Sequence, residues 1–400
     1  MPTVAVVLPS STYRAADFVR AAESLGVDLV VASENPPPFD MGDRYLQIDC
    51  DDPEAAANRL ADLGMSVGLD GVVAADDQGV MVAAHASDLL GLAGNPPDAA
   101  AATRDKLEMR RRLANAEVDQ PRHVALAPGE PAANAVRSLG GPVVVKPRDR
   151  SASQGVIRVD DPEEADLVAE RIRGIVGSDA TLLVEELMPG AEIAIEGLVE
   201  EGDLTVLAVF DKPDTGTGPY FPETIFVTPS RLGGEALEEA ERTASAAVRS
   251  LGLKSGPVHV ELKVEGSRAR IIEVAARSIG GLCSRSLTFG LMGTSLETLI
   301  LRNAMGMGRE RLKREPSASG VLMIPTPEGG VLASVRGESE TRAIPGITGM
   351  DFTIRPGEEV VPPPEGDRYL GFVYARAGTP EEVESALRRA MSELQVQLEG

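Results

Sequence analysis

Over the first hundred residues, short apolar runs alternate with alanine-rich amphipathic segments, and this alternation restricts the possible folds more than any other feature. Val4–Leu8, Leu29–Val31 and Gly71–Ala74 read as strands, and Ala15–Leu25, Pro53–Leu63 and Val80–Leu90 as helices. Strand and helix in turn are the signature of βαβ units and an open parallel sheet. No GxGxxG follows the first run, so a dinucleotide site there is disfavoured. The loop GNPPD at 94–98 breaks the pattern and opens a new segment.

At 400 residues the chain is long for one core and suggests two to four domains. A formal net charge of −23 argues against nucleic acid or an anionic membrane as partner, because those surfaces demand clustered Lys and Arg. Cys50 and Cys283 are far apart in the chain and form no CxxC. They therefore make neither a disulfide framework nor a zinc site, and they fit a reducing cytoplasm. The opening MPTVAVVLPSS reads as a first strand rather than a signal peptide, and no stretch approaches a membrane span.

After residue 95, TRDKLEMRRRLANAEV reads as one helix with Lys106 in its first turns, its Arg110–Arg112 run a solvated face. A strand at His123–Leu126, a helix over Ala132–Leu139 and the apolar strand PVVVKPR follow. The loop RDRSASQG and the strand VIRV come next, and Asp161-Pro162 marks a helix start. TLLVEELMPG, AEIAIEGLV and LTVLAVFD read as strands, Glu235–Leu251 and Ser295–Met305 as helices. RLKREPSASG marks a boundary. Beyond it SGVLMIPTP, ASVRG and YLGFVYARA are strand-like and PEEVESALRRAMSELQ is helical, a small α+β tail. The proline clusters at 36–38 and 362–364 are loop punctuation.

Chemistry concentrates in a few places. In HVELKVEGSRARIIEVAAR the turn falls near Gly266-Ser267, so Glu261 and Glu273 face each other across a hairpin. Opposed carboxylates repel, and a hard divalent cation between them removes that cost; a solvated hairpin edge is the alternative. Lys146 ends an apolar strand and directs its ammonium past the sheet, toward an anionic ligand or along the sheet edge. The small-residue loop after it, with Ser151, Ser153 and Gly155, suits backbone and hydroxyl contacts to phosphate, or is a plain connector. Glu185, Glu186 and Leu187 end a strand before a Pro-Gly turn, where backbone groups suit a purine edge and Glu192 suits ribose hydroxyls; otherwise they are surface acids. Arg277, four residues past Glu273, suits a carboxylate or phosphoryl group, as does Arg285, or else bridges the hairpin acids. His259 reads as a supporting or core histidine rather than a base. Substrate choice is expected from Pro219–Pro229, where Glu223 can meet an amino group and Tyr220, Phe221 and Phe226 can line a pocket or pack the loop.

Taken in order, two lysines, a small-residue loop, Glu-Glu-Leu with a downstream Glu, two hairpin glutamates and an arginine resemble the ATP-grasp superfamily over residues 1–310. DKPDTGTGPYFPETIFVTPS and E-x-A-A-R resemble its L-amino-acid ligase branch, as does the tail. The resemblance implies an α/β and α+β protein: a Rossmann-like N-terminal domain (1–95), an ATP-grasp domain (96–310, with a lid at 120–180) and a C-terminal α+β domain (311–400). It implies ATP as cofactor, with Lys106 and Lys146 on its phosphates, Ser151–Gly155 closing over them, the backbone of Glu186 and Leu187 on adenine and Glu192 on ribose. Glu261 and Glu273 would hold Mg²⁺, with Mn²⁺ an alternative, and Ala275 stands where many relatives carry Asn. Arg277 would bind a substrate carboxylate or the phosphoryl group. The implied reaction joins a small-molecule carboxylate to an amine through an acyl phosphate in the cytoplasm, and a homodimer stays open. A biotin-dependent carboxylase, a purine-biosynthetic ligase and a nucleotide-binding module without turnover are the other readings.

Overall fold

A computed structural model describes residues 1–10, 12–36, 41–214, 218–307, 313–326 and 328–399. Most of the 36–38 proline cluster and the start of the 311–320 boundary lie outside the described residues, as does the centre of the 211–230 stretch. Strands Thr3–Leu8, Asp28–Ser33, Tyr45–Gln47 and Gly71–Ala74 pair in parallel, with Thr3–Leu8 central. Val4, Ala5, Val6 and Val7 are fully buried there, as expected of a sheet covered on both faces. The strand Tyr45–Gln47, only three residues long, has too little pattern to be read in sequence.

The stretch 103–118 is two helices, Pro97–Arg104 and Lys106–Asn115, rather than one. Asp105 leaves helical geometry between them, and its carboxylate accepts the amides of Leu107 and Glu108. That N-cap makes Lys106 the first residue of the second helix. Arg110 also departs from the expected solvated face, being fully buried while Arg111 is exposed.

Residues 123–186 form a four-stranded antiparallel sheet ordered His123–Leu126, Leu182–Glu186, Val143–Pro147, Ile157–Val159. Helices Ala132–Leu139 and Ala165–Val176 pack on it through Val136, Ala169 and Ile172. The largest sheet is eight-stranded and antiparallel: Arg268–Ala275, Ser255–Glu265, Ala191–Glu200, Asp203–Lys212, Ile225–Thr228, Ala318–Met323, Gly371–Ala377 and Ile347–Phe352. Helix Gly234–Leu251 lays Ala240, Ala244, Ala247, Val248 and Leu251 on it, a stripe at helical spacing.

Ile225–Thr228 is the hinge of this architecture. It pairs with the central domain on one side and with Ala318–Met323 on the other, so the C-terminal segment continues the central sheet. The tail adds its own small sheet of Gly330–Arg336, Glu359–Val360 and Gln395–Glu399, and helix Pro380–Glu393, closed by a Thr379/Glu382 capping box. At the other end, fully buried Arg14 ties the N-terminal sheet to the central domain. It donates to the Ala75 carbonyl at 3.1 Å, to Ser278 at 2.6 Å and to Glu297 at 2.6 Å.

Candidate active site

A cleft of about 500 Å³ opens where the four-stranded sheet, the eight-stranded sheet and the loop after Gly71–Ala74 meet. Its floor is the glutamate hairpin, Ser255–Glu265 returning as Arg268–Ala275. Glu261 and Glu273 are direct cross-strand partners, with a bulge immediately after Glu261. The turn at 189–190 packs onto the hairpin so closely that a Cβ on Gly190 would lie 2.4 Å from the Val264 carbonyl oxygen. Gly190 has φ +108°, so only glycine lets the strand bearing Glu192 lie there.

One wall is cationic. Lys106 and Lys146, each 5 % exposed, reach the cleft from the second helix of the split pair and from the strand end at Pro147. The Lys106 ammonium lies 3.1 Å from Glu273, and that of Lys146 lies 2.7 Å from Glu185. Burial pushes the Lys146 ammonium down, and Glu185 opposes the shift. Glu185 also accepts from Arg110 at 2.7 Å. Burial favours its neutral form, but Arg110 and Lys146 outweigh it and hold the carboxyl at about 2. Glu185 therefore serves as the counter-ion of the cationic wall. Above the wall, Ala152 and Ser153 have φ +53° and +56° and Gly155 +70°, so the 151–155 loop curls with successive left-handed residues. The amides of Gln154, Gly155 and Val156 are spent on the carbonyls of Ser151 (3.2 Å), Pro364 (2.8 Å) and Ser153 (3.2 Å), so the curl presents Ser151, Ala152 and Ser153 to the cleft.

Three expectations are corrected. The amides of Glu186 and Leu187 are spent on the carbonyls of Arg122 (3.0 Å) and Pro142 (2.9 Å), so they are not free donors for adenine. The Glu186 side chain pairs with Arg122 and Arg270, while neighbouring Met188 lines the cleft. Arg277 meets not the hairpin acids but Asp77 of the N-terminal domain, at 2.9 Å. Burial would raise the Asp77 carboxyl; Arg277 and Arg104 hold it at about 2 instead. Arg285 lies away from the cleft lining and pairs with Asp17 (3.1 Å) and Asp351 (2.8 Å), joining the three domains' edges rather than facing a substrate.

Lys212 is the residue that sequence reasoning misses. It ends the strand Asp203–Lys212, and its ammonium contacts Glu192 at 2.6 Å, Glu223 at 3.0 Å and Glu261 at 3.1 Å, 5.1 Å from the centre of the Phe226 ring. The signal was the same as for Lys146, a lysine closing an apolar strand. Glu192 also pairs with Lys263 at 3.1 Å. Burial raises the Glu223 carboxyl and Glu261 repels it further, with Lys212 opposing; Lys212 and His259 override burial at Glu261 and hold it low. His259 lies between Glu196 and Glu261, 3.3 Å from the latter. Burial disfavours its charge, yet Glu196 lifts it to about 9, so it is a cation supporting Glu261 rather than a base. Cys283 is buried at the cleft and Cys50 half-buried, both as free thiols, and burial pushes the Cys283 thiol up.

Three family descriptions match along the chain: ATP-grasp N-terminal domain over residues 19–94, ATP-grasp domain over 139–286 and L-amino acid ligase C-terminal domain 2 over 322–399. Alanine–anticapsin ligase of Bacillus subtilis (strain 168) is 28 % identical over 250 residues, 57 % of this chain and 52 % of that protein. D-alanine–D-alanine ligase of Xanthomonas axonopodis pv. citri is 28 % identical over 249 residues, 59 % of this chain and 72 % of that one. The chain spans about half the length of the first curated relatives it matches. The solved L-amino acid ligase from Bacillus licheniformis superposes with a TM-score of 0.82 at 24 % identity, covering 100 % of this chain and 99 % of that one, which carries the fold. No helix among the described residues is long and apolar enough to cross a membrane. The chain belongs to the ATP-grasp superfamily, and its C-terminal segment is of the L-amino acid ligase type.

Proposed function

We propose that the protein is an ATP-dependent ligase that joins a carboxylate, through an acyl phosphate, to an amine, with amino acids among its substrates and ADP and phosphate as products. The observation that carries this is the convergence of Lys106, Lys146 and the opposed Glu261–Glu273 pair in one cleft, with Lys106 already in contact with Glu273. Two buried lysines and a loop that lines the cleft with the hydroxyls of Ser151 and Ser153 are suited to a triphosphate, and a cleft of this size suits a nucleotide. We assign residues 1–95, 96–310 and 311–400 to N-terminal, ATP-grasp and C-terminal domains, with 120–180 as the lid.

The hairpin fits magnesium. Mg²⁺ uses one or two protein carboxylates and completes its shell with water and substrate phosphate. Glu261 and Glu273 offer that number of hard oxygens on opposed positions, with side chains 17 % and 25 % exposed toward the cleft. Among the described residues no group of three or more His, Cys, Asp or Glu forms a metal cage, so the ion would arrive with the nucleotide. Ala275 adds no oxygen. When bound, the ion neutralises phosphate charge during transfer.

The chain's own groups do the remainder by position and charge. Lys106 and Lys146 offset the negative charge that spreads over the phosphoryl oxygens as the substrate carboxylate attacks phosphorus and ADP departs. Lys212 loses two of its carboxylate partners if Glu192 turns to ribose and Glu261 to metal, and its ammonium is then available at the transfer point. Arg277 lines the cleft with Nε and Nη2 on Asp77 and Nη1 on the Ser278 carbonyl, a fixed positive charge beside the reacting groups, and the 151–155 loop keeps water from the acyl phosphate until the amine displaces phosphate. The test is release of ADP and phosphate by the full chain with ATP, Mg²⁺ and paired amino acids. Release must require both an acid and an amine, and it must vanish in Glu273→Ala and Lys146→Ala while the fold persists. Retained turnover in both variants contradicts the assignment.

A further inference from the structure

The C-terminal segment between Pro362 and Tyr369 touches both ends of the cleft. It is held as a tight turn: the Gly366 amide donates to the Pro362 carbonyl at 2.9 Å, and a Cβ on Gly366 would lie 1.9 Å from the Val361 carbonyl oxygen. Its first half grips the lid. The Pro364 carbonyl accepts the Gly155 amide at 2.8 Å and the Glu365 carbonyl accepts the Gln154 side chain at 2.9 Å. The Glu365 carboxylate accepts Arg171 Nε and Nη2 at 2.9 and 2.8 Å, so loop and lid helix are both attached.

Its second half reaches the other end of the cleft. The Tyr369 hydroxyl donates to Glu223 Oε2 at 3.0 Å while Lys212 holds Glu223 Oε1 at 3.0 Å. With both oxygens engaged, Glu223 has one orientation in the cleft lining, to which Asp367 and Arg368 also contribute. Tyr369 is fixed in turn by edge contact with Phe372, ring centres 6.0 Å apart.

We propose that the 362–369 turn is a working part of the site: Tyr369 is a positioning residue that aims Glu223 at a hydrogen-bond donor of the substrate, and Pro364–Glu365 is the receiver that holds the lid closed. One short rigid segment thereby ties closure over the phosphates to the wall that reads the substrate. This rests on the ligase reading, and the experiment separates the two. Tyr369→Phe keeps the ring and removes one hydroxyl. It should raise KM for one substrate about tenfold, the worth of a hydrogen bond to a charged group, with KM for ATP unchanged. Glu365→Ala should speed hydrogen exchange at amides 151–156 in the presence of a non-hydrolysable ATP analogue and raise ADP release without amide product. Arg171→Ala removes the same ion pair from an exposed position and should reproduce both effects. An unchanged substrate KM in Tyr369→Phe, or lid exchange identical to wild type in both ion-pair variants, overturns the proposal. If the wild type forms no amide with any pair, the ligase reading fails. Exchange at 151–156 in the ion-pair variants, and at 221–226 in Tyr369→Phe, still decides the turn's role.

Discussion

Buried charge at the cleft is balanced residue by residue, and the balance sets what each substitution does. Arg110 is fully buried against Glu185, which also carries Lys146. Arg110→Met should cost about 3–5 kcal/mol, because it leaves Glu185 short of a cation; the measurement is the shift in denaturant midpoint. Asp77 and Glu185 both sit at about 2, below the 3.9 and 4.3 of free carboxyls. Their folded-state values are depressed, so between those limits the unfolded chain binds more protons. The stability they contribute is complete above about pH 5 and is lost as pH falls toward 2. Asp77→Asn should therefore flatten the fall in unfolding midpoint between pH 5 and pH 3, and an unchanged slope would contradict the pairing with Arg277. Lys146 at a strand end, Lys106 at a helix start and the hairpin glutamates were legible because short-range pattern places them. Lys212 carries the same strand-end signal and was passed over, whereas Arg110 was not legible, since its partners Glu185, Ile271 and Ile272 come from distant strands.

At the scale of elements, register does the placing. Val4–Leu8 and Ala15–Leu25 show period and length plainly, and the folded strand and helix match them within a residue. The break at Asp105 escaped because Thr103–Val118 keeps helical composition throughout, and only the cap interrupts it. The strand Ile225–Thr228 escaped because it lies inside a stretch read for its aromatics as a pocket wall; Phe221 and Phe226 do line the cleft, and Phe226, 1 % exposed, also packs edge-on against Phe210. The glutamate pair was correctly placed by its turn residues alone. Its position against Glu192 depends on Gly190. Gly190→Ala meets the Val264 carbonyl in a left-handed backbone and should lower stability by about 2 kcal/mol or more, read as a lower melting temperature together with weaker ATP binding.

Across the whole molecule, the cleft exists because three segments share boundaries. The eight-stranded sheet runs unbroken from the hairpin to the C-terminal strands, a continuity no sequence pattern revealed, because sheet neighbours such as Ile225 and Leu322 are nearly 100 residues apart in the chain. Arg14 fastens the N-terminal sheet to Ser278 and Glu297, directly beside Arg277. Arg14→Met should loosen that union, lowering the unfolding midpoint and weakening substrate use more than ATP binding. Equal loss of both would place the tie outside the substrate end. The central claim is that hairpin and lysines together transfer phosphate to a carboxylate for amide formation. It is tested most directly by ADP release from the full chain with ATP, Mg²⁺ and paired amino acids, in wild type and in Glu273→Ala. The account predicts release that depends on both acid and amine in wild type and falls to background in a folded Glu273→Ala; equal release in the two proteins would contradict it.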